Sequence, residues 1–207
     1  MTAIFNLHPG LNLGPAHGTD HDDAEVVMFG FWVFVMSDLI TFGMVFAIYA
    51  TMGQALAGGP GPRDLFDLHS VMVQTALLLT SSLTFGLASL AMKHEQDRRR
   101  VAIGLVVTAL LGLGFLVLEL RDFITMAAQG AIPQRSGWLS AFYALVGLHG
   151  LHITAGLLWI IVMLFQIRAW GLTGQVKTRL LRLGLYWHFL DIIWIGIFSF
   201  VFLEGFA

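Results

Sequence analysis

Residues 138–167 read WLSAFYALVGLHGLHITAGLLWIIVMLFQI, 30 consecutive positions without Asp, Glu, Lys or Arg. At ~1.5 Å per helical residue, such a run more than crosses the ~30 Å hydrocarbon core of a bilayer. Backbone polar groups in lipid must bond within their own segment, and a helix does this. The stretch therefore reads as a transmembrane helix, and the remaining chain is best read outward from it.

Four more apolar runs flank it, near residues 28–52, 69–92, 101–125 and 183–203. The first carries one charge, Asp38, and the second none. The third is uncharged from Val101 to Leu118 and then meets Glu119, Arg121 and Asp122. The fifth contains His188 and Asp191. Continuous runs of this length are unlike the ten-residue alternating segments of a membrane β-barrel. Composition agrees: 57% of residues are hydrophobic, only 12% are charged, and the mean hydropathy is +0.79. The expected fold is all-α, an integral membrane bundle of five transmembrane helices over residues 27–207, behind a polar and mostly disordered tail over 1–26. That tail holds no Lys or Arg, so a cleavable signal peptide with a basic n-region is not expected.

The connections are short and rich in turn formers. Gly58-Gly59-Pro60-Gly61-Pro62 precedes the second span, Gly130 and Pro133 the fourth, and Gly171 and Gly174 the fifth. Basic residues are unevenly shared. Lys93, Arg98, Arg99, Arg100, Arg168, Lys177, Arg179 and Arg182 lie on the side of the N-terminus, against Arg63 and Arg135 opposite, with Arg121 near that boundary. The positive-inside rule then puts the N-terminus in the cytoplasm and the C-terminus outside.

Ionisable groups at membrane depth cost ~2.5–3.5 kcal/mol each on insertion scales, so each needs a partner or a purpose. Helical rise places Asp38 and His149 near the midplane, Asp191 slightly shallower, and His188 and Glu119 about two turns from an end. His149 and His152 are three apart, as are His188 and Asp191, so each pair is expected on one helix face. Three readings stay open from these residues alone: histidines on two helices clamping a haem, a proton or ion path, or hydrogen bonds that hold the bundle together. Small residues at four-residue spacing, Gly43 with Ala47, Ser140 with Ala144 and Gly150 with Thr154, suit close helix approach, and Gly147, Gly150 and Gly156 crowd the fourth span. Trp138 and Trp170 suit the interfacial belt, Trp159 and Trp194 deeper packing.

Several chemistries drop out. With no cysteine there are no disulfides, thiolate chemistry or Cys-held clusters. A net charge of −2 without a basic domain argues against nucleic acid as a partner. The tail cluster His8, His17, Asp20, His21, Asp22 and Asp23 has no metal-site spacing. There is no phosphate loop, no HExxH helix and no nucleophile with a base, so no catalytic residue is expected.

Three strings are more specific. Arg135-Ser136-Gly137-Trp138-Leu139-Ser140-Ala141-Phe142-Tyr143 leads into Gly147-Leu148-His149-Gly150-Leu151-His152-Ile153-Thr154-Ala155-Gly156, and the last span opens Tyr186-Trp187-His188-Phe189-Leu190-Asp191-Ile192-Ile193-Trp194. In order and spacing they resemble subunit III of the haem–copper oxidases. The first span, Phe29-Gly30-Phe31-Trp32 through Met36-Ser37-Asp38, and the third, with Gly114-Phe115 before Glu119, are similar too, so the resemblance covers nearly everything from residue 27 onward. Five spans, an aspartate at the buried position and a His-rich lead-in are closest to the branch found in bacterial cytochrome bo-type ubiquinol oxidases. Gln74 departs from the acid expected at its position in that branch. A five-helix cytochrome c oxidase subunit III is the alternative within the family; outside it, a stand-alone haem- or ion-handling protein.

The resemblance implies an accessory subunit of the bacterial inner membrane, with no redox centre or metal of its own. Haem b, haem o and copper would reside in a partner subunit I, with subunits II and IV nearby. The complex would oxidise ubiquinol, reduce oxygen to water and pump protons. Subunit III would support subunit I, bind phospholipid and help sustain proton uptake. Asp38, Glu119, His149, His152, His188 and Asp191 would then be buried packing and hydrogen-bonding groups, Asp38 the first candidate for a proton or lipid role. Arg98, Arg99 and Arg100 are expected against anionic headgroups.

Overall fold

The computed structural model describes residues 17–61, 65–94 and 97–203. Five long helices account for almost all of them: α1 (His17–Met52), α2 (Leu68–His94), α3 (Arg98–Ala128), α4 (Gly137–Trp170) and α5 (Gly174–Ile197), the last running on as a turn of π-helix over Phe198–Leu203. No strand occurs among the described residues. All five helices are long and apolar enough to cross a membrane, as the sequence predicts.

Each helix outruns its apolar core. The third span, expected near 101–125, extends over Arg98–Ala128, and the fifth, expected near 183–203, begins at Gly174. The helix of the first span starts at His17, within the stretch expected to be a polar tail. The reason is general: loss of hydrophobicity marks where a helix leaves hydrocarbon, whereas the backbone stays helical until a cap or breaker stops it. The tail over residues 1–16, and the side chains of its His/Asp cluster as far as Asp23, lie outside the described residues.

Where a stop is needed, the sequence supplies it. Asp97 caps α3, accepting from the backbone N–H of Arg99 at 2.8 Å and of Arg100 at 3.4 Å. Ser136 caps α4, accepting from Leu139 N–H at 3.1 Å. Gly171 ends α4 at a φ of +70°, a left-handed conformation that glycine adopts without penalty.

Short connections make neighbours antiparallel. α2 and α3 pack most extensively, and Gly104 explains their closeness, since a Cβ there would lie 2.7 Å from the Ala88 Cβ. α1 packs on α4 and α5. Its outer face, including Phe29, Trp32, Phe34 and Ile40, stays exposed. At the centre sits Trp187 of α5, fully buried. Its indole N–H donates to Ser81 Oγ on α2 at 3.0 Å. Its ring meets α3 at Gly112 and α4 at Gly156, where a Cβ would lie 2.9 and 3.0 Å from ring carbons. One side chain thus touches three helices, and two glycines make the room.

The small-residue spacing misleads in part. Gly43 and Gly147 have no neighbouring atom where a Cβ would stand, whereas Gly150 and Gly156 receive side chains, Glu119 and Trp187. Trp138, at the start of α4, is packed inside the bundle: it is 1% exposed, with its N–H donating to Tyr49 Oη at 3.2 Å. A buried indole usually finds a partner for its N–H. Trp170 does lie exposed at its helix end, and Trp194 is buried.

Candidate functional site

The polar groups of the spans form four separate local arrangements. The first joins α1 to α4. Asp38 Oδ2 lies 3.3 Å from His152 Nε2, while His152 Nδ1 contacts the Leu148 carbonyl at 2.8 Å. Phe42 and Tyr186 flank the imidazole, and the Tyr186 hydroxyl donates to the His152 carbonyl at 3.0 Å.

His149, one turn earlier, looks elsewhere. It is fully buried between Phe115 and Trp194, with Nε2 3.2 Å from the Leu190 carbonyl and no hydrogen-bond partner at Nδ1. The expectation that both histidines share a face is too coarse. Three residues at 3.6 per turn leave them roughly 60° apart, enough to send one toward α1 and the other toward α5. A haem clamp needs histidines on two facing helices, and His149, His152 and, on α5, His188 each meet a different protein neighbour: the Leu190 carbonyl, Asp38 and Ser82.

The third arrangement spans α2 and α5. His188 Nδ1 lies 2.6 Å from Ser82 Oγ and 3.8 Å from Asp191 Oδ2. Serine, histidine and aspartate in proximity invite comparison with a nucleophilic triad. That relay needs serine and carboxylate at opposite ring nitrogens, and here the same nitrogen faces both. The group is a polar clasp between helices. Asp191 is buried without a hydrogen bond to either oxygen, and the His188 side chain is 45% exposed.

The fourth lay unread in the sequence. Gln74, fully enclosed on α2, donates through Nε2 to Asp122 Oδ2 on α3 at 2.6 Å, and Ser70 Oγ donates to the same oxygen at 2.9 Å. Asp122 follows Arg121 near a helix end, where a carboxylate passes for a solvated charge. The signal that could have found it is Gln74 itself, an amide inside an otherwise apolar span. Glu119, one turn before Asp122, is 5% exposed and neither of its oxygens has a hydrogen-bond partner. Its carboxyl lies against α4 at Gly150, where a Cβ would be 2.7 Å from Oε1.

Among the described residues no three His, Asp or Glu side chains gather as a metal site. On the basic side, Arg98, Arg99 and Arg100 are exposed at the start of α3. Arg98 donates to the Arg168 carbonyl at the end of α4 at 2.5 Å, and Arg100 pairs with Asp97 at 3.4 Å.

A helical membrane bundle whose polar groups tie helices together fits the resemblance carried by its strings, and comparison with known proteins decides the matter. The family model described as cytochrome c oxidase subunit III matches residues 16–206. The chain belongs to the cytochrome c oxidase subunit III family. Within that family it is 45% identical over 206 residues to a Pseudomonas aeruginosa protein named cytochrome bo(3) ubiquinol oxidase subunit 3, covering 99% of this chain and 98% of that one. The Pseudomonas putida protein of the same name is 47% identical over 185 residues, 89% of each chain. Quinol oxidase subunit 3 of Bacillus subtilis is 40% identical over 179 residues, covering 85% and 86%.

Proposed function

We propose that this chain is the accessory subunit III of a proton-pumping terminal ubiquinol oxidase of the bacterial inner membrane. The observation that carries the reading is the end-to-end match at 45% identity to a relative named for that complex. The local chemistry supports it, because Asp38–His152, Gln74–Asp122 and Ser82–His188 each join two helices. The subunit carries no redox centre. Haem b, haem o and copper belong to subunit I, which it contacts together with subunits II and IV. The exposed face of α1 and the half-exposed His188 within the last span support such contacts, since an imidazole facing lipid alone is costly.

The N-terminus lies in the cytoplasm and the C-terminus in the periplasm, following the basic residues around α2–α3 and α4–α5. Arg98, Arg99 and Arg100 then face the inner leaflet and hold anionic phospholipid. Asp38, Glu119, His149, His152, His188 and Asp191 stabilise the bundle, Asp38 also being the group for a proton or lipid role in support of proton uptake. The test is a reduced-minus-oxidised spectrum of the tagged chain purified gently with its partners. Bands of b- and o-type haem are expected. A-type bands would move the chain to a cytochrome c oxidase, and a colourless preparation without large partners would overturn the reading.

A further inference from the structure

A cavity of about 120 Å³ opens between the ends of α2, α3 and α4 on the side of the α1–α2 and α3–α4 connections. Its lining includes Asp67, Gln74, Glu119, Arg121, Asp122 and Val146. A water needs roughly 10–15 Å³ of such space together with polar partners, so the cavity has room for several. The partners are present. Glu119 is buried with two oxygens lacking hydrogen bonds, and Asp122 is held at Oδ2 alone by Gln74 and Ser70.

The placement of Glu119 is built. Glycine at 150 leaves its carboxyl room in this position, because a Cβ there would meet Oε1 at 2.7 Å and Oε2 at 2.9 Å and the carboxyl would have to shift. Gln74 and Ser70 fix the neighbouring carboxylate on the cavity wall, one helical turn from Glu119. A buried carboxyl is costly when it is ionised without a partner and less so when water reaches it or a proton neutralises it. Too few ligating groups gather here to form a metal site.

We propose that this cavity is a hydrated proton-binding site in which Glu119 is the acceptor. The proton comes from bulk water at the mouth, an O–H bond forms at a Glu119 carboxyl oxygen, and release returns the proton along the same water, with no redox change. Among the described residues, the charged groups that line it with Glu119 are Arg121 and Asp122 on its own helix and Asp67 ahead of α2. The site lies on the side of the bundle opposite the basic connections, and its existence does not depend on what the complex oxidises.

The test is infrared spectroscopy on the purified complex, wild type minus Glu119→Gln, recorded in H₂O and after transfer to D₂O. The expected result is a carboxylic-acid C=O band that Glu119→Gln removes and that shifts within minutes in D₂O. Carboxylate bands in its place, whether or not they respond to sodium or potassium, would overturn the proposal by showing an ion. An acid band that D₂O does not move would overturn it by showing a dry cavity. If Glu119→Gln does not assemble, Glu119→Asp serves instead, and the band must move in frequency while keeping its D₂O shift; an unchanged spectrum sinks the assignment.

Discussion

Asp38 of α1 and His152 of α4 meet at 3.3 Å, carboxylate to imidazole, and tie the least buried of the five helices to the bundle. α1 has only 11% of its most apolar window buried within the chain, against 56% for the last span. Such a helix depends on few contacts, so this polar one carries more of its docking than it would elsewhere.

Replacing Asp38 by Asn keeps a hydrogen-bonding group beside His152. Assembly is expected to survive, with a loss of ~0.5–1.5 kcal/mol in unfolding, the range of polar contacts between membrane helices. His152→Ala removes the contact outright, so adding Asp38→Asn to it should cost little more than His152→Ala alone. Thermal unfolding of the detergent-solubilised complex measures this. A complex that emerges without the subunit would make the carboxylate indispensable to docking and remove the support for its proton or lipid role.

Alanine at Gly112 or Gly156 must push a Cβ against the buried Trp187 ring. Each is expected to cost ~1–3 kcal/mol, the usual penalty of overpacking. Alanine at Gly43 or Gly147, where nothing stands nearby, should stay within about 0.5 kcal/mol. Comparing the four variants by melting temperature separates glycines that admit a side chain from glycines that merely occur in membrane helices.

Gln74→Leu leaves Asp122 with Ser70 as its remaining partner at Oδ2. Hydrogen bonds to charged groups contribute ~1.5–3 kcal/mol, and a loss of that order is expected. Asp122→Asn should weaken the same contact, and the two changes together should fall short of their sum. Strict additivity in this cycle would show that the 2.6 Å contact contributes nothing.

Neutralising Arg98, Arg99 and Arg100 to Gln should strip anionic phospholipid from the purified complex. Each basic residue near a membrane surface contributes ~1 kcal/mol, so bound phosphatidylglycerol measured by mass spectrometry should fall several-fold. Lipid content that ignores all three changes would free these residues from any headgroup role.

Much of this protein was determined along the chain alone. Uncharged runs such as 138–167 compel helices, because lipid offers the backbone no other partner, and the strings around His149 and Asp191 carried the family. Those properties are local in sequence, so they can be read there. Partnership is not. Whether His149 and His152 share a neighbour turned on a 60° difference around one helix. Gln74 and Asp122 are 48 residues apart, and Glu119 and Gly150 are remote until α3 and α4 pack. Only the tertiary structure joins them, because which face of a lipid-soluble helix turns inward is decided by fit against its neighbours, and by no contrast with water that hydrophobicity could record.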